Sequence, residues 1–254
     1  MTAISSRFFV YHLHIFRPNF VYNSHIFRPN ICFSDPYFLF LPLAIKFLRQ
    51  DMERKASKDL INWYHAKTRK PLIVRGARQV GKTWLINDFA QKLGTLFVYI
   101  NFEDDRPLRD LFEADFDMQR ILERISVQKD VDIKPDTLII FDELQEAIHG
   151  ITALKYFAEK LPSQPVIAAG SLSGIAMHRG DSFPVGKVDF IDVFPMDFEE
   201  FLLATGNHRL VKIISEKKWD SVKNVKEKII RLLRTYYYVG GMPKCVETFV
   251  STND

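Results

Sequence analysis

Only two cysteines, Cys32 and Cys245, occur in 254 residues, far apart and in no metal or redox spacing. That scarcity excludes a disulfide-built scaffold and a cysteine-based zinc site, and a reducing cytoplasm is the expected setting. The histidines, His65 and His149 among them, are scattered rather than set at ligand spacing. Acidic residues are nearly missing from the first fifty positions, where Asp35 stands alone against Arg7, Arg17, Arg28, Lys46 and Arg49. That segment carries the whole formal excess of +4, and from Asp51 onward the two signs cancel. The sequence therefore offers no strong sign of a nucleic-acid partner. Long apolar runs are missing as well. The stretch PYFLFLPLAIKFL at 36–48 is broken by Pro42 and lies too far in for a secretory signal. It also falls short of the roughly 20 residues that span a bilayer, so no transmembrane segment is expected.

What is present divides near Met52. Upstream, FVYHLHIFRPN (9–19) is followed at once by FVYNSHIFRPN (20–30). Two copies are too few for a solenoid, and the Arg-Pro in each interrupts a helix or an inner strand. Residues 1–51 are open to three readings: a membrane-associating tail, a genuine extension, or upstream DNA translated through a misassigned start. The last is preferred, because a conventional domain opens at Met52. The segment is expected to be poorly ordered or loosely helical and to carry no chemistry.

Downstream, helical and strand patterns alternate. Residues 53–68 read as an amphipathic helix, 71–76 as a buried strand and 82–94 as a helix stopped by Gly94. Residues 95–103 read as a second strand, followed by helical patterns around Leu108–Phe112 and Ile121–Ile125. Further strands are expected at 137–143, 165–171 and 188–194, with a helix at 151–161. This alternation predicts an α/β fold, an open parallel sheet with helices on both faces. Beyond Pro195 the pattern turns helical, so the expected organisation is a core over 52–195 and a small C-terminal lid over 196–254.

Gly76, Ala77, Arg78, Gln79, Val80, Gly81, Lys82 and Thr83 match the phosphate-binding pattern G-x-x-x-x-G-K-[ST], between a strand and a helix as that loop requires. The glycines let backbone amides turn around phosphate oxygens, and the helix adds its positive end. Lys82 is expected at the β- and γ-phosphates and the Thr83 hydroxyl on Mg2+. LIIFDE then ends an apolar strand in Asp142, at the sheet edge where open α/β sheets bind ligands. Asp142 is the expected metal-side carboxylate, and Glu143 the expected base for an attacking water. Ser171, ending the fourth strand, reads equally as a γ-phosphate sensor or a plain turn residue. Arg78 reads equally as a phosphate contact or a structural ion-pair partner. Gly240, Gly241 and Pro243, in YYYVGGMPKCV, read locally as a helix stop and restart.

From Met52 the chain resembles a family of prokaryotic AAA-type P-loop ATPases whose members usually continue into a further C-terminal domain. RKPLIVRGARQVGKTWLI and LIIFDELQEA carry the likeness at its general level. SFPVGKVDFIDVFPMDFEEFL and YYYVGGMPKCVETF are more specific to the family. The resemblance implies a core in which an extra strand separates the loop-bearing strand from the Asp-Glu strand, with ATP as nucleotide and Mg2+ as metal. It also implies that Pro243 packs near the adenine. The first fifty residues match nothing in that family, and the chain stops after GGMP, so truncation is expected, with any downstream-encoded partner supplied separately. No arginine finger stands out. Arg179 and Lys187 are the candidates, and self-association is the other source. The expected activity is ATP hydrolysis to ADP and phosphate. The rivals are a nucleotide-gated switch, a nucleotide-binding fragment without its effector, and, more weakly, a small-molecule kinase or a DNA-directed protein.

Overall fold

The computed structural model describes residues 53–171 and 184–252. The expectations for residues 1–51 and for Arg179 lie outside them. Five strands form one sheet: β1 Leu72–Gly76, β2 Phe97–Asn101, β3 Leu138–Asp142, β4 Val166–Ser171 and β5 Asp189–Asp192. Their order is β2-β3-β4-β1-β5, and every pairing is parallel. β4 lies between β1 and β3, so it is the separating strand that the resemblance implies, while β2 sits at an edge.

Strand chemistry explains this order. All five residues of β3 are buried, as are the first five of β4, which suits strands covered on both faces. β2 alternates half-buried and buried positions, and in β5 only Ile191 is buried, which suits edges. The strand period of two splits β3 between two cores. Leu138 and Ile140 pack with Leu60 and Trp63 of α1 (Ala56–Tyr64) and with Leu85, Ile86 and Phe89 of α2 (Lys82–Leu93). Ile139 and Phe141 face the other way. They join Ile121 and Ile125 of α3 (Met118–Lys129) and Leu154 and Phe157 of α4 (Gly150–Lys160). Helices thus cover both faces of a parallel sheet, and the α/β expectation holds.

One element differs from expectation. Around Leu108–Phe112 there is a single 3-10 turn, Arg106–Leu108, followed by further turns rather than an α-helix. Pro107 sits at the start of that turn. The Arg109 guanidinium donates to the Phe102 and Glu103 carbonyls, at 2.6 and 2.7 Å, and so ties the segment to the preceding loop. Leu108, Leu111 and Phe112 are nevertheless fully buried. Their apolar spacing reflects burial, not helix period.

Beyond residue 196 the chain is helical: α5 Phe198–Ala204, α6 His208–Ser215, α7 Trp219–Asn224, α8 Lys226–Val239 and α9 Pro243–Thr252. Met196, Phe201, Ala204 and Val246 form a small core of their own, flanked by Phe198, Tyr236 and Phe249. Met196 pins it: its amide donates to the Gly241 carbonyl at 2.6 Å, and its carbonyl accepts from the Tyr236 hydroxyl at 2.8 Å. No described helix is long and apolar enough to cross a membrane.

A buried charge pair joins these regions. Arg54, just before α1, places its Nε 3.2 Å from Glu200 Oε1 in α5. Its other nitrogens donate to the Val80 carbonyl at 2.9 Å and the Phe194 carbonyl at 2.6 Å. Glu200 Oε1 also accepts the Lys55 amide at 2.7 Å, and Glu200 Oε2 accepts the Asp197 amide at 3.1 Å. Asp197 returns the favour by accepting the Glu200 amide, which completes a capping box. Both charged side chains are almost fully buried, and removing one partner of such a pair costs roughly 3–5 kcal/mol. Arg54→Met is therefore expected to destabilise the protein by about that much. Adding Glu200→Met should recover part of the loss, as measured by the urea unfolding midpoint of both variants.

Candidate functional site

The loop between β1 and α2 curls tightly. Gln79 and Gly81 both adopt positive φ, 65° and 89°. Two left-handed residues within three positions turn successive amides toward one side, the geometry of an anion nest. Gly81 supplies that backbone without strain, and α2 begins at the next residue. Gly76 is small for a different reason: a Cβ there would lie 2.2 Å from the Val193 carbonyl oxygen, at the end of β5. The loop's first glycine thus answers to packing, and its second to backbone conformation.

Lys82 is largely buried at the loop's end. Its ammonium donates to the Gly76 and Ala77 carbonyls at 3.0 and 2.9 Å, so the loop itself holds it. Burial pulls its pKa below the ordinary lysine value. The negative charges of Glu143 and Asp142 oppose that shift, and the positive charge of Arg78 adds to it. Arg78 is exposed, and none of the described ion pairs includes it.

β3 delivers the acidic pair. Asp142 is buried, and its Oδ2 accepts from the Thr83 hydroxyl at 2.8 Å and the Tyr99 hydroxyl at 2.7 Å. Its Oδ1 accepts the Glu143 amide at 3.0 Å. Thr83 and Asp142 are therefore brought together as the sequence predicts. Both present oxygen, which suits a hard cation such as Mg2+. Among the described residues no group of three or more His, Cys, Asp or Glu side chains could hold a metal. A cation here would need phosphate and water oxygens to complete its shell, the usual habit of Mg2+. Glu143 has left-handed backbone, φ 49° and ψ 46°, and its carboxylate accepts from the side-chain Nε2 of Gln145.

The remaining predicted residues fall in two groups. Ser171 pairs in register with Gly76, which sets it beside the start of the loop. Pro243, at the start of α9, packs on the loop: a Cβ at Gly81 would lie 3.4 Å from its Cγ. Lys187 is instead engaged with Glu159 of α4 at 3.0 Å. Three residues at the site escaped the sequence reading: Arg54, Tyr99 and Gln145. Tyr99 left a faint signal as the one phenol in an apolar strand. Gln145 lies two positions past Glu143, within reach of its carboxylate. Arg54 left none, because its partner is 146 positions away.

A family model described as an AAA domain matches residues 68–202, more than half of the chain. No curated protein matches. The match takes in the loop, the acidic pair, Ser171 and Glu200.

A bound polyphosphate favours the charged form of Lys82, whose pKa is depressed in the free protein. Binding therefore takes up a proton once pH exceeds that depressed value. ATP affinity is expected to weaken as pH rises through it, below the roughly 10.4 at which an ordinary lysine discharges. Fluorescence titration across the alkaline range checks this, with Lys82→Met as the variant in which the dependence disappears.

Proposed function

The chain belongs to the AAA-type P-loop ATPase family, and from that premise we propose that it binds ATP with Mg2+ and hydrolyses it to ADP and phosphate. The observation that carries the proposal is the 2.8 Å contact between the Thr83 hydroxyl and the Asp142 carboxylate, with Glu143 next in the chain. A phosphate cradle and a water-activating carboxylate thus meet at one sheet edge.

In this reading the loop amides of 76–83 take the phosphate oxygens. Lys82 exchanges the Gly76 and Ala77 carbonyls for the β- and γ-phosphates. Thr83 and Asp142 hold Mg2+, which when bound neutralises phosphate charge. Glu143 orients a water and accepts its proton as the water oxygen bonds to the γ-phosphorus. The bond from that phosphorus to the β–γ bridging oxygen breaks, and ADP leaves. Ser171, beside Gly76, senses the γ-phosphate, and Arg78 contacts phosphate from the loop's rim. Pro243 packs near the adenine. Residues 52–195 act as the core and 196–254 as its lid. Arg179, outside the described residues, stays a candidate for the arginine finger, with a second copy or a partner chain as the other source, and turnover by the isolated protein is slow. Hydrolysis of this kind belongs in the cytoplasm, and the free, exposed Cys245 suits a reducing compartment.

Glu143→Gln is expected to bring ATP turnover to background while ATP binding persists. Persistence is read as an increase in thermal stability worth about 2.7 kcal/mol at a nucleotide concentration near 100 times Kd. Normal turnover in that variant removes Glu143 from the role of base.

A second reading, a nucleotide-gated switch with slow hydrolysis, draws support from Arg54. One guanidinium holds both Val80 in the loop and Glu200 in the lid. Nucleotide that moves the loop is then expected to change the lid's docking. ATP and ADP should give different rates of limited proteolysis within 196–252, and identical rates count against the switch.

A further inference from the structure

We propose that Tyr99 is a positioning residue for the divalent cation: its phenol fixes the Asp142 carboxylate in the orientation that, with Thr83, receives Mg2+. The inference rests on the ATPase reading above and extends it to a residue on a different strand.

Asp142 ends β3, and Tyr99 lies on the adjacent edge strand, β2. The strands pair with Tyr99 opposite Ile140 and Asn101 opposite Asp142. The phenol thus reaches along the strand to a residue beyond its own register partner. Its hydroxyl meets Asp142 Oδ2 at 2.7 Å, on the oxygen that also takes the Thr83 hydroxyl. The Glu143 amide occupies Oδ1. Three of the roughly four acceptor positions of a carboxylate are filled, so its rotation is fixed. The partly buried ring packs, like Phe97, against the core that α1 and α2 share with Leu138 and Ile140 of β3. Packing alone would be met by a second phenylalanine, and the hydroxyl adds only the bond to Asp142.

Partners that orient metal-binding side chains typically contribute about 10–100-fold to metal affinity. Tyr99→Phe keeps the ring and removes the donor. A fluorescent ATP analogue, titrated against the full chain in EDTA and at increasing Mg2+, separates the effects. The Mg2+ concentration for half-maximal enhancement of binding is expected to rise about 10-fold or more in Tyr99→Phe, with affinity in EDTA unchanged. Mn2+ binding followed by electron paramagnetic resonance should weaken in parallel. An unchanged Mg2+ midpoint overturns the inference, as does an equal fall in EDTA and in Mg2+, which marks a general structural role. Asp142→Asn separates this inference from the reading beneath it. A wild-type Mg2+ dependence that is lost in Asp142→Asn but intact in Tyr99→Phe overturns the inference alone. Wild-type binding indifferent to Mg2+ overturns both.

Discussion

The buried guanidinium of Arg54 is the constraint on which the arrangement of parts depends. It lies in no regular element, yet it touches the β1–α2 loop at Val80, the exit of β5 at Phe194 and helix α5 at Glu200. A charge taken out of water needs all its donors satisfied. Each of these contacts therefore limits the position of the other two. The Glu200 carboxylate is fixed in turn by the Lys55 and Asp197 amides. The loop is thereby held at Val80 by a polar clamp anchored outside the loop itself.

The side of the loop that meets the acidic pair is organised by strand order. With β4 between β1 and β3, the loop and the acidic pair come from strands that do not touch, and the space between them is spanned by side chains. Thr83 crosses it from the first turn of α2, and Tyr99 approaches from the outer strand. Ser171 enters from the intervening strand itself, in register with Gly76. Four strands thus contribute to one edge of the sheet.

Much of this was readable in the residues, for identifiable reasons. Strands such as LIIFD announce themselves because burial on both faces demands continuous apolar side chains. The loop announces itself because glycine, lysine and a hydroxyl must fall at fixed spacing for phosphate. The 108–112 segment misled because Leu108, Leu111 and Phe112 are spaced as on a helix face while the chain runs through turns. Tyr99 and Arg54 escaped because their partners are set by strand register and by a contact between distant segments. Local sequence encodes neither. The DFEEFL run does encode a capping box, Asp197 with Glu200. What it could not disclose is that Glu200 serves two masters, its own helix terminus and Arg54.

The placement of β1 has a consequence for how the protein comes into being. The strand that carries the cradle is synthesised first, yet its two neighbours are β4 and β5, drawn from residues 166–171 and 189–192. A nascent chain that has already emitted the loop still lacks both flanks of its supporting strand. Parallel pairings between such distant segments form slowly, because the closure entropy of the intervening chain comes before any gain from contact. Until then both edges of β1 are open to unwanted pairing. The strand that leads into the loop is thus completed late, only after both β4 and β5 have been made.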